Sequence, residues 1–293
     1  MENNKIPRSF GTHNGTFHAD EVTACALLLV FDLIDREKII RSRDKTELAS
    51  CEYVCDVGGV YDPALKLFDH HQADYAGQMS SAGMTLLYLH KASYMPENEY
   101  FHFKQQLFDG IDAHDNGREI KLPGVCTYSH IIANFTPVVR GAPKEVEGQA
   151  FFEALDFAIG HLSRMRKRYH YIRSCRNKVV KAMQEGKTVL MFEESIPWQE
   201  LFFEEGGLDH PAKFIIMPSG DHWNLRGIPP SLDRRMEVRH PLPEAWAGLL
   251  EEELQKVCGI PGAIFCHKGR FISVWETKED AKRALKLVLG EKA

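Results

Sequence analysis

With 293 residues, 44% of them apolar and 26% charged, the chain has the composition of a globular protein with room for one large or two ordinary domains. A formal charge of −5 at pH 7 excludes a global basic field that would hold nucleic acid or an anionic membrane, so an anionic substrate has to be handled locally, by metal ions or a confined basic patch. The seven cysteines are odd in number, scattered and without CxxC pairs, which reads as reduced thiols in a cytoplasmic protein; the polar start, Met1 to Phe10, has no signal-peptide core, and no apolar run reaches the roughly 18 residues of a membrane span.

In chain order, Ser9 to Thr12 predicts a first strand ending at His13, and Val22 to Phe31 a buried helix that opens just after Asp20 and Glu21, acids suited to a helix N-terminus. Lys38 to Arg43, Tyr53 to Val57 and Leu65 to Asp69 predict further strands, and Ser81 to His90 and Glu97 to Ile111 predict helices. Strands alternating with helices argue an α/β domain with a largely parallel sheet, whose ligands sit beyond the carboxyl ends of the strands. His13, Asp56 and Asp69-His70-His71 are therefore expected to converge. The polar stretch Gly141 to Glu145 breaks both patterns, and a helix over Gly148 to Gln184 is expected to link the two parts. Strands at Thr188 to Phe192, Lys213 to Met217, Ala263 to Cys266 and Arg270 to Trp275, with helices at Pro243 to Val257 and Lys278 to Leu289, predict a smaller α/β or α+β unit. The expected division is a catalytic domain over residues 1–140, a linker helix over 141–185 and a substrate domain over 186–293.

Two segments concentrate chemistry. Lys66-Leu67-Phe68-Asp69-His70-His71-Gln72 sets an acid and two imidazoles at a strand end, and His13-Asn14-Gly15-Thr16-Phe17-His18-Ala19-Asp20-Glu21 precedes the first helix. A lone His or Asp is usually an ordinary loop residue; two such clusters in one domain point to metal. Carboxylates mixed with imidazoles suit Mn²⁺, Fe²⁺, Co²⁺ or Zn²⁺. His13, His18, Asp20, Asp56 and His70 are more ligands than one tetrahedral ion takes, and a carboxylate shared by two ions about 3.5–4 Å apart is an arrangement that hydrolyses phosphoesters. Asp112 and Asp115, one helical step apart, are both able to complete the second ion's ligands, and the sequence leaves open which does. Gly58-Gly59 permits close backbone approach to a ligand or simply a tight turn. The basic run Arg164 to His170, with Arg173 and Arg176, reads as a solvated helix face, with nucleic-acid binding and a base stacked on Tyr169 or Tyr171 as the alternative.

These segments, together with Asp56-Val57-Gly58-Gly59-Val60-Tyr61-Asp62-Pro63 and Asp112-Ala113-His114-Asp115-Asn116-Gly117, resemble the four successive motifs of the DHH phosphoesterase superfamily, and are closest to the melanocyte-proliferating-gene exonuclease family, also labelled metal-dependent protein hydrolases. A weaker likeness continues through Leu242 to Leu249 and Gly259 to His267. The resemblance implies that His13 and His18 hold one ion, Asp20 and His70 the other, and Asp56 bridges them, with Asp112 or Asp115 completing the second. His18 stands where most of the superfamily has Asp, which leans the site toward Mn²⁺, with Mg²⁺ possible. It further implies that Asp69 orients His70, that His71 meets the phosphate or leaving group, and that water is the nucleophile at phosphorus. Arg226, Arg234, Arg235 and His240 lie in loops similar to the family's substrate-facing part, and His267 either joins them or simply ends a strand. Two departures stand out: Phe271-Ile272 is followed by Ser273-Val274-Trp275 in place of the family's glycine pair, and Leu250 replaces an arginine.

The implied activity is a two-metal phosphodiester hydrolase, a 3′-to-5′ exonuclease on single-stranded RNA or DNA ends. The competing readings are hydrolysis of a small dinucleotide or phosphoanhydride, which the low positive charge and altered glycine loop favour, and a non-catalytic metal- or nucleic-acid-binding protein, against which the intact ligand set argues.

Overall fold

The computed structural model describes residues 5–139 and 141–290, so the expected domain limits at residues 1, 140 and 293 lie outside the described residues. The chain divides into two compact units, Met1–Lys167 and Arg168–Ala293.

The first unit contains β1 (Ile6–Thr12), α1 (Ala19–Val30), β2 (Ile39–Arg41), α2 (Lys45–Ala49), β3 (Cys51–Cys55), β4 (Tyr61–Asp62), β5 (Leu67–Phe68), α3 (Ser81–Lys91), α4 (Glu97–Phe103), α5 (Asp109–Asp115) and α6 (Tyr128–Ala133). A long helix, α7 (Lys144–Ser174), runs across the division. The sheet has the order β2-β1-β3-β5-β4, parallel except for the edge strand β4. The last four residues of β1 are all buried, as befits a parallel strand covered on both faces. Helix α1 is buried from Ala19 to Leu28 and therefore lacks a polar face. Its Leu27 and Leu28 share a core with Phe10, Tyr53 and Phe68 of the strands and with Phe103 and Phe108.

Strand pairing positions the chemistry. Gly11 pairs with Val54, and Cys55 with Phe68, so the carboxyl ends of β1, β3 and β5 lie side by side. Parallel neighbours stand about 4.8 Å apart, which brings the residues just beyond those ends within reach of one another.

Three helices differ from expectation. The helix expected over Glu97 to Ile111 contains a π turn, Lys104–Phe108, between α4 and α5. The helix expected over Gly148 to Gln184 is two, because at Cys175 the chain tightens to an N–H bond to the carbonyl of Ile172 before α8 (Arg176–Glu185) begins. Pro243 to Val257 yields a short 3₁₀ turn, Glu244–Trp246, and α10 (Glu251–Cys258), separated at Gly248, whose φ of 79° cannot continue a helix.

The second unit adds β6 (Val189–Met191), α9 (Gln199–Glu204), β7 (Phe214–Ser219), β8 (His222–Gly227), β9 (Ala263–Cys266), β10 (Ile272–Trp275) and α11 (Lys278–Val288). Its sheet order is β6-β7-β8-β10-β9, with only β6 and β7 parallel. Trp246 and Trp275 meet edge to face at 5.7 Å inside a core with Phe214, Leu225 and Leu285. Strand β8 was not expected from the sequence, although Gly220-Asp221 between β7 and β8 is a two-residue hairpin signal, with Gly220 at φ 59°. Among the described residues no helix is long and apolar enough to cross a membrane.

Gly83 of α3 lies against Asp112 of α5: a Cβ built there would collide with the Asp112 carboxylate. Gly83→Ala is expected to cost about 1–3 kcal/mol through overpacking, read as a lower denaturant midpoint. An unchanged midpoint would show that the Asp112 carboxylate moves aside freely.

Candidate metal centre

The residue following β1, His13, is buried, and its Nε2 lies 3.2 Å from Asp56 Oδ2 and 3.2 Å from Glu21 Oε1. Asp56, the first residue past β3, adopts a left-handed φ of 57° while its N–H still bonds the Phe68 carbonyl at 3.0 Å. A non-glycine residue is uncommon there, and such strain gathers at functional sites. The turn leaves one Asp56 oxygen facing His13 and the other, Oδ1, 3.5 Å from His70 Nε2. His70 Nε2 in turn stands 3.0 Å from Asp115 Oδ2 and 3.9 Å from Asp20 Oδ2. His18, exposed at the start of α1, has its ring 5.9 Å from that of His13. Potential ligand atoms of His13, His18, Glu21 and Asp56 lie within 4.8 Å of one another, and so do those of Asp20, His70 and Asp115.

Three acids around these rings have supporting roles. Asp20 is fully buried and accepts the N–H groups of Ser81 at 2.9 Å and Ala82 at 2.5 Å, satisfying the orphan donors that open α3. Asp112 accepts the Ser80 N–H at 2.9 Å and hydroxyl at 2.8 Å, so it braces the same helix start, while Asp115 is the one brought into the cluster. Asp69 corrects an expectation: its carboxylate engages His71 rather than His70. Oδ1 accepts His71 Nδ1 at 2.7 Å and the His71 N–H at 3.1 Å, and Oδ2 accepts the Gly59 N–H at 2.5 Å. A short acid side chain folds most readily onto the backbone two residues ahead, which draws it to His71. The His71 side chain is 62% exposed, and Nδ1 being taken, its Nε2 is the nitrogen free to meet a ligand.

Electrostatics follow from burying so many acids together. Burial, with Asp56 and Asp115 nearby, raises the Asp20 carboxyl well above its ordinary range. Burial would also raise Asp56, but the imidazoles of His13 and His70 beside it outweigh that and bring the carboxyl down to about 2. Burial would lower His13, yet Asp56 and Glu21 lift it to about 10; Asp115 and Asp56 lift His70 to about 10 against a smaller burial effect. The cluster thus stabilises positive charge strongly. Asp56 Oδ1 and His70 Nε2 are both buried, face each other and satisfy no hydrogen bond. Orphaned carboxylate and imidazole donors of this kind fit divalent metal ligation.

The cluster opens into a cleft of about 1000 Å³ lined also by Arg43, Gly58, Gly59 and His114. Sequence reading missed Glu21 and Arg43. Glu21 was legible only as a first-turn acid, although its carboxylate also accepts the His18 N–H at 2.9 Å. Arg43 is exposed on the cleft with no motif to mark it.

In the second unit, Arg226 on β8 and His267 after β9 flank Phe271, with the guanidinium 5.9 Å and the imidazole 4.3 Å from its ring centre; burial holds Arg226 below its ordinary pKa. Arg234 is paired with Glu237, Arg235 bonds the Leu232 carbonyl at 2.9 Å, and His240 lies 5.4 Å from the Phe214 ring. Much of the basic helix is engaged internally rather than merely solvated. Arg166 bonds buried Glu99 at 3.0 Å, Arg173 bridges Glu200 and Glu204, and Arg176 pairs with Glu205. Tyr169 is buried and so unavailable to stack a base, whereas Tyr171 is exposed.

The MYG1_exonuc family model, described as "Uncharacterised protein family (UPF0160)", matches residues 9–289. The chain belongs to the MYG1 exonuclease family. Among curated relatives, the "MYG1 protein" of Chlamydia muridarum is 54% identical over 287 residues, covering 98% of each chain. The "MYG1 exonuclease" of Homo sapiens is 31% identical over 329 residues, covering 98% of this chain and 87% of the human one. Among solved structures, RecJ in complex with Mn²⁺ from Thermus thermophilus aligns with 97% of this chain at 14% identity and a TM-score of 0.30; this chain spans 53% of RecJ.

In this member of the MYG1 family the two helix-end acids make different contacts, Asp112 with Ser80 and Asp115 with His70. Asp115→Asn is expected to lower Mn²⁺ content with little loss of stability, whereas Asp112→Ala, which strips the Ser80 bonds, should cost about 1–3 kcal/mol of stability. Metal analysis and thermal unfolding on both variants check this, and the reverse pattern would exchange the roles.

Proposed function

We propose that the chain is a metal-dependent phosphodiester hydrolase that acts as a 3′-to-5′ exonuclease on single-stranded RNA or DNA. The reading rests on family membership and above all on Asp56, whose two oxygens face two different imidazole-containing groups. His13, His18 and Asp56 would hold one divalent ion, with Glu21 beside it, and Asp20, His70, Asp115 and Asp56 the other. The share of imidazole suits Mn²⁺ above Mg²⁺. When bound, such ions lower the pKa of water and neutralise charge growing on the phosphoryl oxygens.

The remaining work belongs to the chain's own groups. His71, its ring oriented by Asp69, presents Nε2 to exchange a proton with the leaving oxygen. Arg43 offers a cation to a phosphate at the cleft edge. Phe271, with Arg226 and His267 against its ring, offers aromatic and cationic contacts for a base, and Arg235 adds charge for a polyanion. The free, scattered cysteines accord with a cytoplasmic setting.

Metal-stripped protein given Mn²⁺ and end-labelled single-stranded RNA, DNA or a dinucleotide, with Asp56→Asn in parallel, tests the proposal. A ladder shortening from the 3′ end, lost in Asp56→Asn, is expected. Cleavage of the dinucleotide alone would favour a small substrate, and wild-type rates in Asp56→Asn would sink the shared-carboxylate assignment. His71→Ala is expected to lower turnover by about 10²–10⁴-fold while Mn²⁺ content holds; a parallel loss of metal would make His71 a ligand instead.

A further inference from the structure

A second group of donors lies apart from Asp56. His114 of α5, Glu119 in the loop that follows and His130 of α6 each bring one ligand atom within 4.8 Å of the others. Glu119 Oε2 is 2.8 Å from His114 Nδ1 and 3.9 Å from His130 Nε2, and the two rings stand 5.1 Å apart, nearly perpendicular. We propose that His114, Glu119 and His130 form a separate site for one divalent transition ion, of which Zn²⁺ fits the donors best.

Two imidazoles and one carboxylate are a three-ligand set for tetrahedral zinc, with the fourth position left to water. The orientation of His130 is set in advance. Its Nδ1 lies 2.9 Å from the hydroxyl of Thr127, the residue that caps α6, which leaves Nε2 turned toward Glu119. A metal-bound imidazole characteristically ties its other nitrogen to an oxygen in this way. The Glu119 side chain is only 12% exposed, and its Oε1 is buried with no hydrogen-bond partner. Glu119 therefore keeps acceptor capacity that a cation seated between the two imidazoles would draw on.

The spacing is also suitable. Bonds of about 2.0–2.1 Å in a tetrahedron set ligand atoms roughly 3.4 Å apart, so the His114 contact would open and the His130 contact close by about half an ångström each. Both imidazoles are partly exposed and have room for that adjustment. The set holds more imidazole than carboxylate, unlike the acid-rich group of Asp20, His70 and Asp115, so the two places should sort ions by softness. Because His114 also lines the large cleft, an ion here would add positive charge at the cleft's edge.

The full chain is equilibrated with Zn²⁺, freed of excess by gel filtration and assayed by mass spectrometry for retained metal, alongside Asp56→Asn, His130→Ala and Glu119→Gln. His130→Ala and Glu119→Gln are each expected to hold about one ion fewer than wild type, and Asp56→Asn to keep the ion that they lose. In Co²⁺-loaded Asp56→Asn, the visible absorption of tetrahedral cobalt should vanish when His130→Ala is added. Circular dichroism separates loss of the ion from loss of fold, and the isosteric loop variant Glu119→Gln serves if His130→Ala does not fold. Equal Zn²⁺ content in wild type and these variants would overturn the site. The His130-dependent ion is counted whether or not the Asp56 cluster holds metal, so the two readings fail separately.

Discussion

Mutual repulsion among Asp20, Asp56 and Asp115 is the constraint around which the first unit is organised. Buried like charges raise one another's pKa or demand a compensating cation, and burial removes the water that would screen them. The chain supplies two answers at once: imidazoles of His13 and His70 set between the acids, and a helix start, that of α3, aimed at Asp20. Neither answer is local. The imidazoles come from the ends of different strands, and the helix start comes from beyond β5.

The parallel sheet explains how residues so distant in sequence come together. Strand pairing at Gly11 with Val54 and at Cys55 with Phe68 aligns three carboxyl ends, and each is followed at once by a polar residue. Around this line the supports divide the work. Asp112 and Ser80 fix the start of α3, Gly83 lets α3 approach α5, and Asp69 fastens the Gly59 turn to His71. A residue without direct contact with a ligand can therefore matter as much as one that has it.

The general architecture of the first unit and the convergence of His13, Asp56 and His70 were legible because apolar runs that end repeatedly in acids or imidazoles are rare outside parallel sheets that carry a site at their strand ends. The separate parts of Asp112 and Asp115 were not legible, because a three-residue step on a helix places both on one side and only tertiary packing tells them apart. Asp69 misled for a related reason: proximity in sequence to both His70 and His71 gives no information about which ring the turn delivers. Glu21 looked like a helix-dipole acid because an acid in a first turn needs no further role to account for it. Strand β8 was missed because His222, Asn224 and Arg226 dilute its apolar residues, though the Gly220-Asp221 turn was there to be read.

The π turn at Lys104–Phe108 has a meaning for the centre that its own side chains do not reveal. A π turn accommodates an additional residue, and each residue rotates an α-helix by about 100°. Phe103 is fixed in the core before the turn, and Asp112 and Asp115 lie after it. The turn thus acts as a phase adjuster, clocking α5 so that Asp112 meets Ser80 and Asp115 meets His70 while the preceding helix keeps its own apolar face inward. Selection on this segment would accordingly fall on its length more than on its composition: a residue gained or lost between Phe103 and Asp112 would turn both acids away without touching either.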